Sequence, residues 1–191
     1  MRVDGSNVGR IAERIAMNEL EARDFHIIDL AYMSKTSANV DFIASKGGVS
    51  YNIQVKGASA PSGRIWGIHY GYCDEEMIRD RGKKVFNRSG FALEAQIVVL
   101  IAVHSPNQYR SIIMPVEVAE RSVQINLDRY YRKTKLDGGV RKPNKIFCNF
   151  DGVKKRLVDP LFEEERNLLL AHEGAWEPLG VPLVREVISP G

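Results

Sequence analysis

VDFIASKGGVSYNIQVKGAS, residues 40 to 59, decides the fold. VDFIA at 40 to 44 and VSYNIQVK at 49 to 56 read as β-strands, and the SKGG between them is a hairpin signal. A period of two puts Val49, Tyr51, Ile53 and Val55 on one side of the second strand and Ser50, Asn52, Gln54 and Lys56 on the other. The first set suits a core. The second is wholly polar, and contact with water alone would explain it. If Gly47 and Gly48 form a two-residue turn, Lys46 lies opposite Val49 and Asp41 lies directly across from Gln54. A shift of one residue in the turn would break that register. Asp41 entering an apolar strand needs a reason: a hairpin-start acid, an ion-pair partner or a ligand.

Upstream, GRIAERIAMNELEAR at 9 to 23 has helical periodicity, with Ile11 and Ile15 beside a stripe of Ala16, Met17 and Leu20. Ser6 or Asn7 would cap this helix. Glu13 precedes the stripe by three, four and seven residues and shares its face. A carboxylate turned partly inward is costly unless it is paired or bound to a cation, although an ordinary surface glutamate fits the same position. FHIIDL at 25 to 30 is a short strand.

Downstream, IWGIHY at 65 to 70 is a strand or sheet edge, and QIVVLIAVH at 96 to 104 is apolar throughout, as a central strand should be. PNQY turns it into RSIIMPV, which Pro115 ends; VEVAERSVQ is a short helix and KIFCNF at 145 to 150 another strand. Asp159, Pro160 and the glutamates after them open a helix running to about Glu173 and closed by Gly174. The proline- and glycine-rich tail beyond it is ordered only by docking. The expectation is an α/β fold, a mixed central β-sheet flanked by helices, over residues 1–152, with a C-terminal helical extension at 153–191 packed on it.

Composition bounds the function. The chain has 191 residues, 44% hydrophobic and 27% charged, in the range of a folded globular protein. Cys73 and Cys148 are too few for a disulfide scaffold and read as plain thiols of a reducing compartment. MRVDGSNVGR has no signal-peptide core, and IVVLIAV at 97 to 103 is about a third of a membrane span, so a cytoplasmic protein is expected. Net charge is only +3, but the cations are grouped. RDRGKKVFNR at 79 to 88 holds five basic groups and one acid, and residues 129 to 145 hold seven basic groups, one acid and two tyrosines. Such patches suit a phosphate backbone; solvated faces would also explain them.

Asp41, Gln54 and Glu13, with the backbone carbonyl of Val55, supply the oxygen donors that magnesium prefers. Lys56 could orient or deprotonate a water, or stabilise charge developing on a phosphate. Gly57 permits a close backbone approach. In this order, Glu13 in GRIAERIAMNEL, Asp41 in VDFIA, and Gln54 and Lys56 in IQVKG resemble the PD-(D/E)xK nuclease superfamily, over roughly residues 9 to 104 and onward to 150. The resemblance implies a restriction-endonuclease-like core. It also implies that Asp41 anchors Mg²⁺ (with Mn²⁺ as a substitute), that Gln54 occupies the second acidic position, that Lys56 is the catalytic lysine and that Glu13 is an auxiliary metal-site acid. Two departures are visible: no proline precedes Asp41, and the second carboxylate is a glutamine, which removes one negative charge.

A DNA-cleaving enzyme needs a duplex-sized positive surface. Arg64, Lys83, Lys84, Arg88, Arg132, Lys133, Lys135, Arg141 and Lys142 are the DNA-binding candidates, with Asn87 and Arg88 placed to reach base edges. Tyr130 and Tyr131 are stacking candidates. His69 and His104 read as packed strand residues, His172 as helical surface, and Trp66 and Trp176 as core or interface anchors. Cutting both strands with one site per chain calls for a homodimer. Sequence-specific restriction is the leading expectation. Four-way-junction resolution and a catalytically silent DNA-binding module are the alternatives.

Overall fold

The computed structural model describes residues 5–30, 40–59, 65–67, 95–105, 107–131, 145–148 and 160–181. A five-stranded open sheet organises them, in the order β1 (His26–Asp29), β2 (Phe42–Lys46), β3 (Val49–Ser59), β5 (Ile97–Ser105) and β6 (Gln108–Pro115). β3 and β5 run parallel; the other neighbours are antiparallel. Strands β4 (Ile65–Gly67) and β7 (Lys145–Phe147) form a separate antiparallel pair. The architecture is α/β, with a mixed sheet flanked by helices.

The hairpin forms as its sequence requires. Gly47 and Gly48 take φ values of 59° and 82°, the left-handed pair that a two-residue turn demands, and Lys46 faces Val49. At the other end the ladder departs from the simple register. Phe42 still faces Ile53, but the Asp41 N–H donates to the Ile53 carbonyl at 2.8 Å instead of bonding across to Gln54. β2 therefore bends where Asp41 enters it.

Helix α1 (Gly5–Glu21) covers one face of the sheet. It begins earlier than the apolar pattern suggests, and Ser6 and Asn7 lie inside its first turn rather than capping it. Ala12, Ile15, Ala16 and Leu20 are buried against Phe42, Ile53, Val55 and Val99. The helix closes with Asp24 in the left-handed region (φ 62°) and the Phe25 N–H donating to the Leu20 carbonyl at 3.1 Å. Gly57 is the contact that sets its height: a Cβ there would lie 2.7 Å from the Val8 carbonyl oxygen and 2.8 Å from the Ala12 Cβ. The close approach expected at Gly57 is thus that of α1 itself.

The second face is covered by α2 (Val116–Tyr131) and α3 (Pro160–Leu170), which bury Ala119, Val123 and Leu169 over Val98, Leu100 and Met114. α2 is a sixteen-residue helix, longer than the VEVAERSVQ signal, because Ser122 and Asn126 continue its buried stripe with polar groups. Ser122 donates to Glu165 at 2.9 Å, and the other Glu165 oxygen pairs with Arg129 at 3.0 Å. The Arg129 guanidinium also sits 4.7 Å from the centre of the Phe162 ring. Arg129, one of the seven cations in the second basic stretch, is therefore tied to α3. Asn126 is fully buried, and neither its amide nitrogen nor its oxygen has a hydrogen-bond partner.

α3 ends at Leu170, three residues short of the expected Glu173, and the chain then rounds the β6 edge. The Ile113 N–H donates to the His172 carbonyl and the Gly174 N–H to the Ser111 carbonyl, both at 3.0 Å, and Ile112 bridges Glu173. Arg110 pairs with Glu173 at 2.7 Å. Trp176 then inserts into the α1 side of the core. His172 is a correction. It is not helical surface but a buried turn residue just past α3, with Nδ1 3.0 Å from the Gly180 carbonyl oxygen. His104 is the opposite correction: it is exposed, beside the irregularity between Val103 and Ser105 that turns β5 out of the ladder.

Candidate functional site

The site begins at the bend in β2. Asp41 leaves the regular ladder, and its Oδ2 accepts the Val55 N–H at 2.6 Å, taking the place of a backbone partner on β3. This contact fixes one carboxylate oxygen on the hairpin. Burial pushes the Asp41 carboxyl above the ordinary carboxylate range, against the opposing pull of the Val55 N–H and Lys56.

Glu13 approaches from α1, half-buried, one helical turn before Ala16 and Met17. Its carboxyl is also pushed up, first by burial and then by the Asp41 charge, while Lys56 pulls it down. The Asp29 carboxylate, at the end of β1, raises it further. Glu13, Asp41 and Lys56 are therefore within electrostatic reach of one another. Asp29 is an acid that the sequence reading passed over, since nothing in FHIIDL shows that β1 ends beside α1.

Gln54 and Lys56 share the β3 face that looks away from α1. Lys56 is half-buried. Gln54 is 3% exposed, and its Oε1 has no hydrogen-bond partner. A buried carbonyl oxygen left without a donor costs roughly 1–3 kcal/mol. A solvent-face glutamine, the bland alternative for this residue, does not fit that burial. The oxygen set of Gln54, Asp41 and Glu13 suits a hard divalent cation on its chemistry: two carboxylates that burial and mutual repulsion penalise, and one neutral oxygen without a partner. Among the described residues, no group of three or more His, Cys, Asp or Glu side chains is placed to hold a metal ion. The candidate set has two carboxylates and an amide.

Gln96 is a second residue that the sequence does not single out. Its Oε1 accepts the Asn52 N–H at 3.0 Å, its own N–H donates to the Asn52 carbonyl at 2.8 Å, and its carbonyl accepts the Val116 N–H at 2.9 Å. It clamps β3 two residues before Gln54 and ties that point to the start of α2.

The proposed DNA contacts Arg64, Lys83, Lys84, Arg88, Arg132, Lys133, Lys135, Arg141 and Lys142 lie outside the described residues, as do His69, Cys73 and Asn87. The side chains of Trp66, Tyr130 and Tyr131 lie outside them too. Cys148 is buried and free, and burial pushes its thiol up to about 12, as an inert core thiol should behave. Among the described residues, no helix is long and apolar enough to cross a membrane.

No known protein-family model matches the chain, and no curated protein matches it. Among solved structures, the chain is similar to a bacterial homing endonuclease, I-Ssp6803I, with a TM-score of 0.38 and 16% identity, over 60% of this chain and 67% of that one. So distant a likeness carries no argument about chemistry.

Proposed function

We propose that this chain is a metal-dependent endodeoxyribonuclease whose centre is Asp41, Gln54, Glu13 and Lys56. One observation carries the reading. The buried Gln54 oxygen has no partner, and it neighbours two carboxylates, Asp41 and Glu13, whose charged forms burial disfavours. An apo protein gains nothing from that grouping, whereas a bound cation stabilises all three oxygens at once. Asp41, Gln54, Glu13 and the Val55 carbonyl would hold Mg²⁺, or Mn²⁺ in its place. When bound, such an ion supplies Lewis-acid stabilisation of charge on a phosphate.

The chain's own residues do the rest. The Val55 N–H holds Asp41 in one orientation. Lys56, on the Gln54 face, orients the attacking water and offsets negative charge on the phosphate oxygens. α1, seated on Gly57, carries Glu13 to the same place. The substrate reading is duplex DNA held by the basic stretches and cut at specific sequences by a homodimer.

The test is a cleavage assay with the purified protein and its Lys56→Ala variant. Supercoiled plasmid, linear DNA and a synthetic four-way junction are each incubated with Mg²⁺, Mn²⁺ or EDTA. Metal-dependent cutting that disappears in the variant is the expected result, with discrete bands for sequence-specific cleavage. Cutting of the junction alone would move the substrate to branched DNA. No cutting of any substrate, with DNA binding unchanged by the substitution, would overturn the nuclease reading in favour of a binding module.

A further inference from the structure

The geometry points to a centre that loads a single divalent cation per chain, with the Gln54 amide as the group that limits it to one. This rests on the metal-site reading above and concerns its capacity. Paired-metal centres hold their ions about 3.5–4 Å apart, and the repulsion between two doubly charged ions at that spacing must be offset by carboxylates, at least one of them bridging.

Asp41 is the hairpin's one carboxylate at the site, and its Oδ2 already accepts the Val55 N–H at 2.6 Å. That bond leaves Oδ1 as the oxygen free of a backbone partner, so Asp41 presents one strong donor rather than a two-sided bridge. Across from it stands Gln54, 3% exposed, with an unpartnered Oε1. An amide oxygen coordinates one cation well but brings no charge to offset a second. Lys56 places a positive charge within reach of both Asp41 and Glu13, which further disfavours a second cation. Asp29 acts on Glu13 and is not among the charges acting on Asp41, so it does not complete a second set of donors around the hairpin.

Mn²⁺ binding to the intact chain provides the test, read by calorimetric stoichiometry and by the loss of free-ion paramagnetic resonance signal. Neither readout depends on DNA cleavage. The wild type is expected to bind one Mn²⁺ per chain, and Asp41→Ala none. Gln54→Glu restores a charged second donor and is expected to bind two. Two Mn²⁺ per wild-type chain, both lost in Asp41→Ala, would overturn the single-cation inference and leave the nuclease reading standing. One Mn²⁺ in Gln54→Glu would overturn the role given to the amide. No bound Mn²⁺ at millimolar metal in the folded wild type would remove the metal site itself, and the nuclease reading with it.

Discussion

The Asp41 carboxylate accepts the Val55 N–H across the open end of the hairpin at 2.6 Å, joining the β2 bend to the strand that carries Gln54 and Lys56. One oxygen thus does a backbone's work while its carboxyl is held above the ordinary range by burial. The two roles separate by mutation. Asp41→Asn keeps an acceptor for Val55 and loses the charge. Asp41→Ala loses both and strands a backbone donor, a cost of about 1–3 kcal/mol. In EDTA at neutral pH the asparagine variant is expected to melt above the wild type and the alanine variant below it. A lower melting temperature for Asp41→Asn would contradict the burial argument.

The pH dependence follows with a definite sign. Asp41 and Glu13 both have native pKa values raised above their unfolded ones. The stability they contribute is complete below the unfolded values, about 4, and is lost as pH rises through the native values. A cation binds the deprotonated forms, so Mn²⁺ affinity should weaken as pH falls through the range just above the usual carboxylate values. Calorimetric titrations between pH 7.5 and 5 check this, and a pH-independent affinity would count against carboxylate ligation.

Gly57→Ala puts a methyl group 2.7 Å from the Val8 carbonyl oxygen and 2.8 Å from the Ala12 Cβ. α1 must lift from β3, and overpacking of this kind costs typically 1–3 kcal/mol. The variant is expected to show a lower urea midpoint than the wild type. Because Glu13 travels with the helix, it should also show weaker metal binding. Unchanged stability would mean that α1 is not seated as described.

His172 moves stability in the opposite direction from the two acids. It is buried, and burial lowers its pKa below the ordinary imidazole value. Stability is therefore complete above the unfolded value, about 6.5, and falls as pH drops below it towards the native value. The urea midpoint should decline between pH 7.5 and 5.5, and His172→Gln should flatten that decline. A decline that persists in the variant would assign it to another group.

Glu165 is fully buried, and its partners Ser122 and Arg129 both lie on α2. Glu165→Ala leaves the Arg129 cation in a poorly solvated place, and removal of one partner from a buried pair typically costs 3–5 kcal/mol. Replacing both as Arg129→Met with Glu165→Leu should recover most of that loss. A double-mutant cycle by urea denaturation measures the difference.

Much of this arrangement was legible in the chain because it is local. Two adjacent glycines with alternation on either side define the β2–β3 hairpin, and the apolar run from Ile97 onward reads directly as a buried strand. Asp41 stood out as an acid in an apolar segment, and Glu13 as an acid on an apolar stripe. What escaped the sequence depends on contacts between distant segments. The one-residue departure at Asp41 arises from its carboxylate taking over the Val55 N–H, a side-chain choice that periodicity does not encode. Gln96 looks like any polar residue before a strand until Asn52 is beside it. His172 looked exposed because helical spacing was extended past Leu170, where the chain in fact turns to pair with β6. The long polar stripe of α2 read as a helix end because Ser122 and Asn126 are buried without being apolar.

The separations along the chain also order the assembly of the centre in time. Asp41 and Val55 are 14 residues apart inside one hairpin, whereas the Asn52–Gln96 clamp spans 44. Hairpins close in about 1–10 μs, and longer closures carry a larger entropic penalty. The Asp41–Val55 bond belongs to the hairpin and can form before β5 arrives, but Gln54 is buried only once β5 pairs with β3. A chain emerging from the ribosome thus acquires its anchoring acid early and its enclosed donor late, and stays short of a complete cation site until residue 97 and beyond have been made.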